Sequence, residues 1–107
     1  MIRVTVTPRQ RENLYGMFVG KETSLRQRNT GTLHRSASKK KDEEKWSHES
    51  YPGWIRFQRC LGGSVVALVQ SRNAGEEWQL LSSFIGFLDR HFRDYISTIG
   101  ITYELAE

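Results

Sequence analysis

One cysteine, two prolines, three histidines and no long apolar run leave several chemistries without material in this chain. The lone thiol, Cys60, excludes an intrachain disulfide framework and a multi-cysteine metal site, and it points to a reducing compartment. No stretch approaches the roughly 20 apolar residues of a membrane span. The opening residues alternate, Ile2-Arg3-Val4-Thr5-Val6-Thr7, and lack the continuous apolar segment of a secretion signal; a cytoplasmic setting is expected. His34, His48 and His91 stand at no spacing that suits a metal ion, so neither a metal nor a cofactor is expected.

What the chain has in quantity is positive charge in one place. Residues 21–41 carry seven Lys/Arg against one acid, Glu22, while residues 42–107 are net negative. Such asymmetry steers binding more than it directs folding. The 107 residues, 37% of them apolar and 11% aromatic, suit one domain with one core.

Periodicity then suggests the elements. Ile2, Val4 and Val6 mark a strand with one buried face. Thr7-Pro8-Arg9-Gln10 resembles a capping sequence, and Leu14, Met17 and Phe18 give an apolar face to a helix expected over 8–19, with Gly20 ending it. Residues 20–50 hold few large apolar side chains (Leu25, Leu33, Trp46) and are expected to form a basic, flexible insert rather than core elements, one that can still carry an extended arm or hairpin because Thr23–Arg28 and Thr32–Ser36 have some strand character. Beyond it, 54–60 and 64–71 have strand character and are joined by Leu61-Gly62-Gly63, a hairpin signal. Val65-Val66-Ala67-Leu68-Val69 is apolar on both faces, as in a strand covered on both sides. Trp78, Leu81, Ile85, Leu88, Phe92 and Tyr95 form a helical stripe, with Gly86 expected to pack closely on a sheet. Ile99, Ile101 and Tyr103 alternate in a last strand.

The resulting order is β-α-(insert)-β-β-α-β, and the expected fold is an α+β, ferredoxin-like two-layer sandwich spanning 1–107, with the basic insertion between first helix and second strand.

Motifs for catalysis do not survive inspection. Gly16-Met17-Phe18-Val19-Gly20-Lys21-Glu22 is one residue short of a phosphate-binding loop and puts a carboxylate where a magnesium-binding hydroxyl is needed. Cys60 beside Arg59 suits a depressed thiol pKa, but a small residue at a hairpin end explains it as well. No carboxylates visibly converge, so no enzymatic activity is expected. What remains is binding. A sheet with helices on one side leaves edges and a face that a second copy can cover, and self-association of a small accessory protein, as a homo-oligomer, is the leading expectation. The alternative is a nucleic-acid contact, with Arg26, Arg28, Arg35, Lys39, Lys40 and Lys41 on phosphates and Trp46, Tyr51 and Trp54 near bases.

Overall fold

A computed structural model describes residues 1–36, 44–73 and 75–104. The expected Lys39, Lys40 and Lys41 contacts lie outside the described residues.

The first strand, β1 (Ile2–Pro8), follows the period-2 pattern, burying Ile2, Val4 and Val6. Pro8 ends the strand instead of starting a helix. It is buried opposite Ile96, at a register shift where a missing N–H is tolerated. The helix α1 starts later, at Leu14, and runs to Gln27. Its cap is Asn13, whose Oδ1 accepts the Gly16 N–H at 3.1 Å. Gly20 does not end it, because Phe18, Glu22 and Leu25 continue one face at helical spacing. The chain turns at Asn29, with φ of 56°, and Gly31, with φ of 89°.

The supposed insert therefore holds structure: the second half of α1, then β2 (Leu33–Ser36) and β3 (Glu44–His48). The remaining elements are β4 (Trp54–Arg59), β5 (Val65–Gln70), α2 (Glu77–Phe92) and β6 (Ile96–Tyr103). A 3₁₀ turn over Leu61–Gly63 connects β4 to β5.

All strand pairs are antiparallel in one six-stranded sheet ordered β2-β3-β4-β5-β1-β6. The expected ferredoxin-like order is thereby corrected: two further strands lie in the basic region, and the strand order differs. The α+β class stands.

One face of the sheet joins both helices in a single core. Its centre is aromatic: Phe18 lies 4.9 Å from Phe92 and 6.4 Å from both Phe57 and Phe84, and Trp46 lies 5.1 Å from Phe57 (ring centroids). On α2 the buried stripe is Leu80, Leu81, Phe84, Phe87, Leu88 and Phe92, whereas Trp78 is exposed, as is Tyr95 in the 3₁₀ turn that follows the helix. Gly86 does not face the sheet; a Cβ there would meet the Arg90 guanidinium. Among the described residues, the other sheet face has no helix. On β5 its Val66 and Leu68 are half-buried, so the strand is covered on one side only. Among the described residues no helix is long and apolar enough to cross a membrane.

Candidate interaction surfaces

The residues expected to meet phosphates and bases are largely engaged within the protein. Trp46 is fully buried, and its indole Nε1 donates to the Tyr15 hydroxyl at 3.0 Å. Tyr15 in turn donates to Glu44 Oε2 at 2.9 Å. The Arg35 guanidinium lies 3.6 Å from that same carboxylate oxygen, and its backbone N–H donates to Glu22 Oε1 at 3.2 Å. Arg26 reaches Glu22 Oε2 at 3.7 Å from the next turn of α1. Burial holds the Tyr15 phenol above its ordinary pKa; the neighbouring Glu44 adds to the rise and the Trp46 hydrogen bond opposes it.

This chain of groups fastens β2 and β3 to α1. Glu22 is 1% exposed, the one buried charged residue among those described. An unpaired carboxylate there would be costly, and the Arg26 guanidinium and the Arg35 backbone N–H supply the compensation. Trp46 is thus closed to base stacking, and the Arg35 guanidinium faces Glu44. Arg28 is exposed just past the end of α1. Tyr51 stacks on the ring of His48 at 4.3 Å. His48 Nδ1 accepts the N–H groups of Ser50 and Tyr51, and burial holds its pKa below the ordinary value. These positions are spread over both ends of β2 and β3 and do not converge on one ligand.

Cys60 is exposed on the rim of a cleft of about 560 Å³ between the β1–α1 and β4–β5 connections. The neighbouring Arg59 guanidinium lies over the Tyr15 ring, 5.6 Å from its centroid.

A surface that is open lies at the other end of the sheet. β6 pairs with β1 on one side and, among the described residues, with no strand on the other. Cross-strand register sets Ile99 opposite Val6, Ile101 opposite Val4 and Tyr103 opposite Ile2, so these side chains point to the helix-bearing side. The helices do not reach over them: Ile99 is 36%, Ile101 43% and Tyr103 70% exposed. From Ile96 to Tyr103 there is no charged residue and no proline.

The two sheet edges differ in kind. Edges are normally blunted by short strands, charges or proline, because unpaired N–H and C=O groups recruit another strand. β2 fits that rule, with four residues that include His34 and Arg35. β6 has eight residues and none of those protections on its strand positions. Sequence reasoning identified the alternation of Ile99, Ile101 and Tyr103 but not their exposure, which depends on where the helices lie.

The fold defines an α+β protein with a six-stranded antiparallel sheet covered on one side. Comparison with protein-family models, curated protein sequences and solved structures finds no match.

Proposed function

We propose that this chain is a small binding protein that self-associates through the outer edge of β6, two copies joining their sheets antiparallel. The observation that carries this reading is the eight-residue edge without charge or proline, bearing three exposed apolar side chains. A second copy satisfies both needs at once, since its β6 offers matching backbone groups and the same apolar row.

Geometry restricts the register. Side chains alternate between faces, so the two apolar rows merge only where odd positions oppose odd positions. Centred on Gly100, such pairing sets Ile99 of one copy against Ile101 of the other. The helices of both copies then lie on the same side of a continuous sheet.

Sedimentation velocity on the full chain tests the proposal. The expected species is a dimer, and the double substitution Ile99→Lys with Ile101→Lys yields a folded monomer by circular dichroism. A wild-type chain that stays monomeric at high concentration, or a double variant that remains dimeric, refutes it.

A further inference from the structure

Trp78, Ser82, Gly86 and Arg90 follow one another along α2 at intervals of four, so they share a face of the helix that the core does not use. Trp78 is 59% exposed, an unusual place for the largest of side chains. Between this face and the β3–β4 connection lies a cavity of about 490 Å³, lined by Trp78 and Arg90 from α2 and by His48 and Tyr51 from the other side. Asp89, the acid beside Arg90, is taken by Arg93 through two hydrogen bonds of 3.0 and 2.8 Å. The Arg90 guanidinium instead lies back over Gly86, where a Cβ would come within 3.0 Å of Nη1. Gly86 therefore seats Arg90 at the expense of helix propensity, and among the described residues no carboxylate pairs with that guanidinium. The rest of the lining is neutral and polar. Among the described residues, no hydrogen bond engages the side chains of Ser50, Gln79, Ser82 or Ser83.

We propose that this cavity binds an acidic oligosaccharide, with Arg90 on the carboxylate of a uronic acid unit and Trp78 against the face of a sugar ring. The chemistry of the lining selects that class. A guanidinium suits the planar, two-oxygen geometry of a carboxylate. Hydroxyl and amide side chains donate and accept alike, as sugar hydroxyls do. His48 adds a donor at Nε2, because its Nδ1 already accepts two backbone N–H groups. The negative face of an indole attracts the weakly positive C–H groups of a sugar ring. A mononucleotide would stack too, but its phosphate calls for more than one cation, and among the described residues Arg90 is the only charged one lining the cavity. Length favours a chain over a single ring: Trp78 and Gly86 stand eight positions apart, about 12 Å along the helix axis. Linked rings span from the indole to the seated guanidinium. A neighbouring cavity shares Arg90, but it is floored by Leu33 and Phe87 and, at about 230 Å³, is too small and too apolar for such a ligand. No residue of β6 lines the larger cavity, so the proposal stands apart from edge pairing.

Isothermal titration calorimetry on the full chain measures the contact. The acidic probes are oligogalacturonate, oligomannuronate and a hyaluronan fragment; the comparison probes are neutral maltotriose, AMP and a short peptide with a free carboxylate. At least one acidic oligosaccharide should bind, about tenfold or more tighter than maltotriose, as expected for a charge-assisted hydrogen bond. Arg90→Gln should erase that advantage, and Trp78→Ala should weaken binding about tenfold. Arg11→Gln, which removes a charge from a different cleft, should leave affinity unchanged. Gly86→Ala should weaken binding while raising Tm, because the new Cβ crowds Nη1 whereas alanine favours the helix; a loss of fold cannot produce both results. Melting curves check that the other variants stay folded. Three results would overturn the proposal. The first is no binding of any of the three acidic oligosaccharides. The second is maltotriose, AMP or the peptide binding as tightly as the best of them. The third is an equal loss of affinity in Arg90→Gln and Arg11→Gln, the mark of net charge alone.

Discussion

Removing one oxygen atom, in Tyr15→Phe, tests whether the buried hydrogen-bond chain fastens β2 and β3 to α1. The Tyr15 hydroxyl is the acceptor for Trp46 Nε1–H at 3.0 Å, and Trp46 is fully buried. Phenylalanine keeps the ring contacts with Phe57 and Trp46 but leaves that N–H without an acceptor. A buried donor left unpaired costs about 1–3 kcal/mol. Glu44 loses a donor too, yet it is about a third exposed and has Arg35 at 3.6 Å, so water replaces most of what is lost. The expected loss is therefore about 2 kcal/mol, set by the indole rather than the carboxylate. For a domain of this size that lowers Tm by about 10 °C. Thermal melts followed by far-UV circular dichroism measure it. Trp46→Phe removes the donor as well, so in the double variant the second substitution should cost less than it does alone, with a coupling of about 1 kcal/mol. A high-pH arm adds a second check. Burial keeps Tyr15 neutral in the folded state, so its contribution is fully present below the ordinary phenol value near 10. It is lost as pH rises through the elevated native value. Wild type should lose Tm more steeply than Tyr15→Phe above that pH. A loss under about 0.5 kcal/mol, or an additive cycle, would refute the assignment of the indole's acceptor.

Two other substitutions follow from local geometry. His48 accepts two backbone N–H groups through Nδ1, and its pKa is lowered by burial first and then by His34. Its contribution to stability is complete above the ordinary histidine value and declines as pH falls through it towards the lower native one. His48→Asn retains an acceptor and should flatten Tm between about pH 7.5 and 5; the residual slope belongs to His91, whose pKa burial also lowers. An unchanged slope would disprove the role of His48. In the β4–β5 connection, Gly62 and Gly63 both have positive φ, but only at Gly63 would a Cβ overlap the Glu12 carbonyl. Gly62→Ala should cost about 1 kcal/mol, and Gly63→Ala at least about 2 kcal/mol more, read from urea unfolding; equal losses would contradict this packing.

How far the sequence speaks depends on where the apolar side chains lie. β1, β4, β5 and the α2 region were legible because Ile2, Val4, Val6, Ile55, Phe57 and Val65 mark buried positions with apolar residues. The extension of α1 was hidden because the residue that continues its buried face is Glu22, a charge that composition assigns to solvent. β3 was hidden, and β2 showed only as weak strand character over Thr32–Ser36, for a related reason. Each carries one deeply buried apolar residue, Leu33 and Trp46, and the remaining inward positions include Arg35 and Glu44. A run with so little apolar content resembles an insert unless the opposite charges are known to meet. On α2 the shift from Trp78 and Tyr95 to Leu80, Phe84 and Phe87 arose because two helical stripes were both apolar, and only the position of α1 decides between them.

The same pairing changes where the protein's positive charge is available. Residues 21–41 hold the highest density of Lys and Arg in the sequence, so they were the natural place to expect an anion. In the folded chain Arg26 and Arg35 face Glu22 and Glu44, and part of that charge is consumed internally. The register of the sheet meanwhile gathers Arg3, Lys45 and Arg56 into one row, although they are scattered over more than fifty positions in sequence. Charge density along the chain and charge density on the surface therefore point to different places.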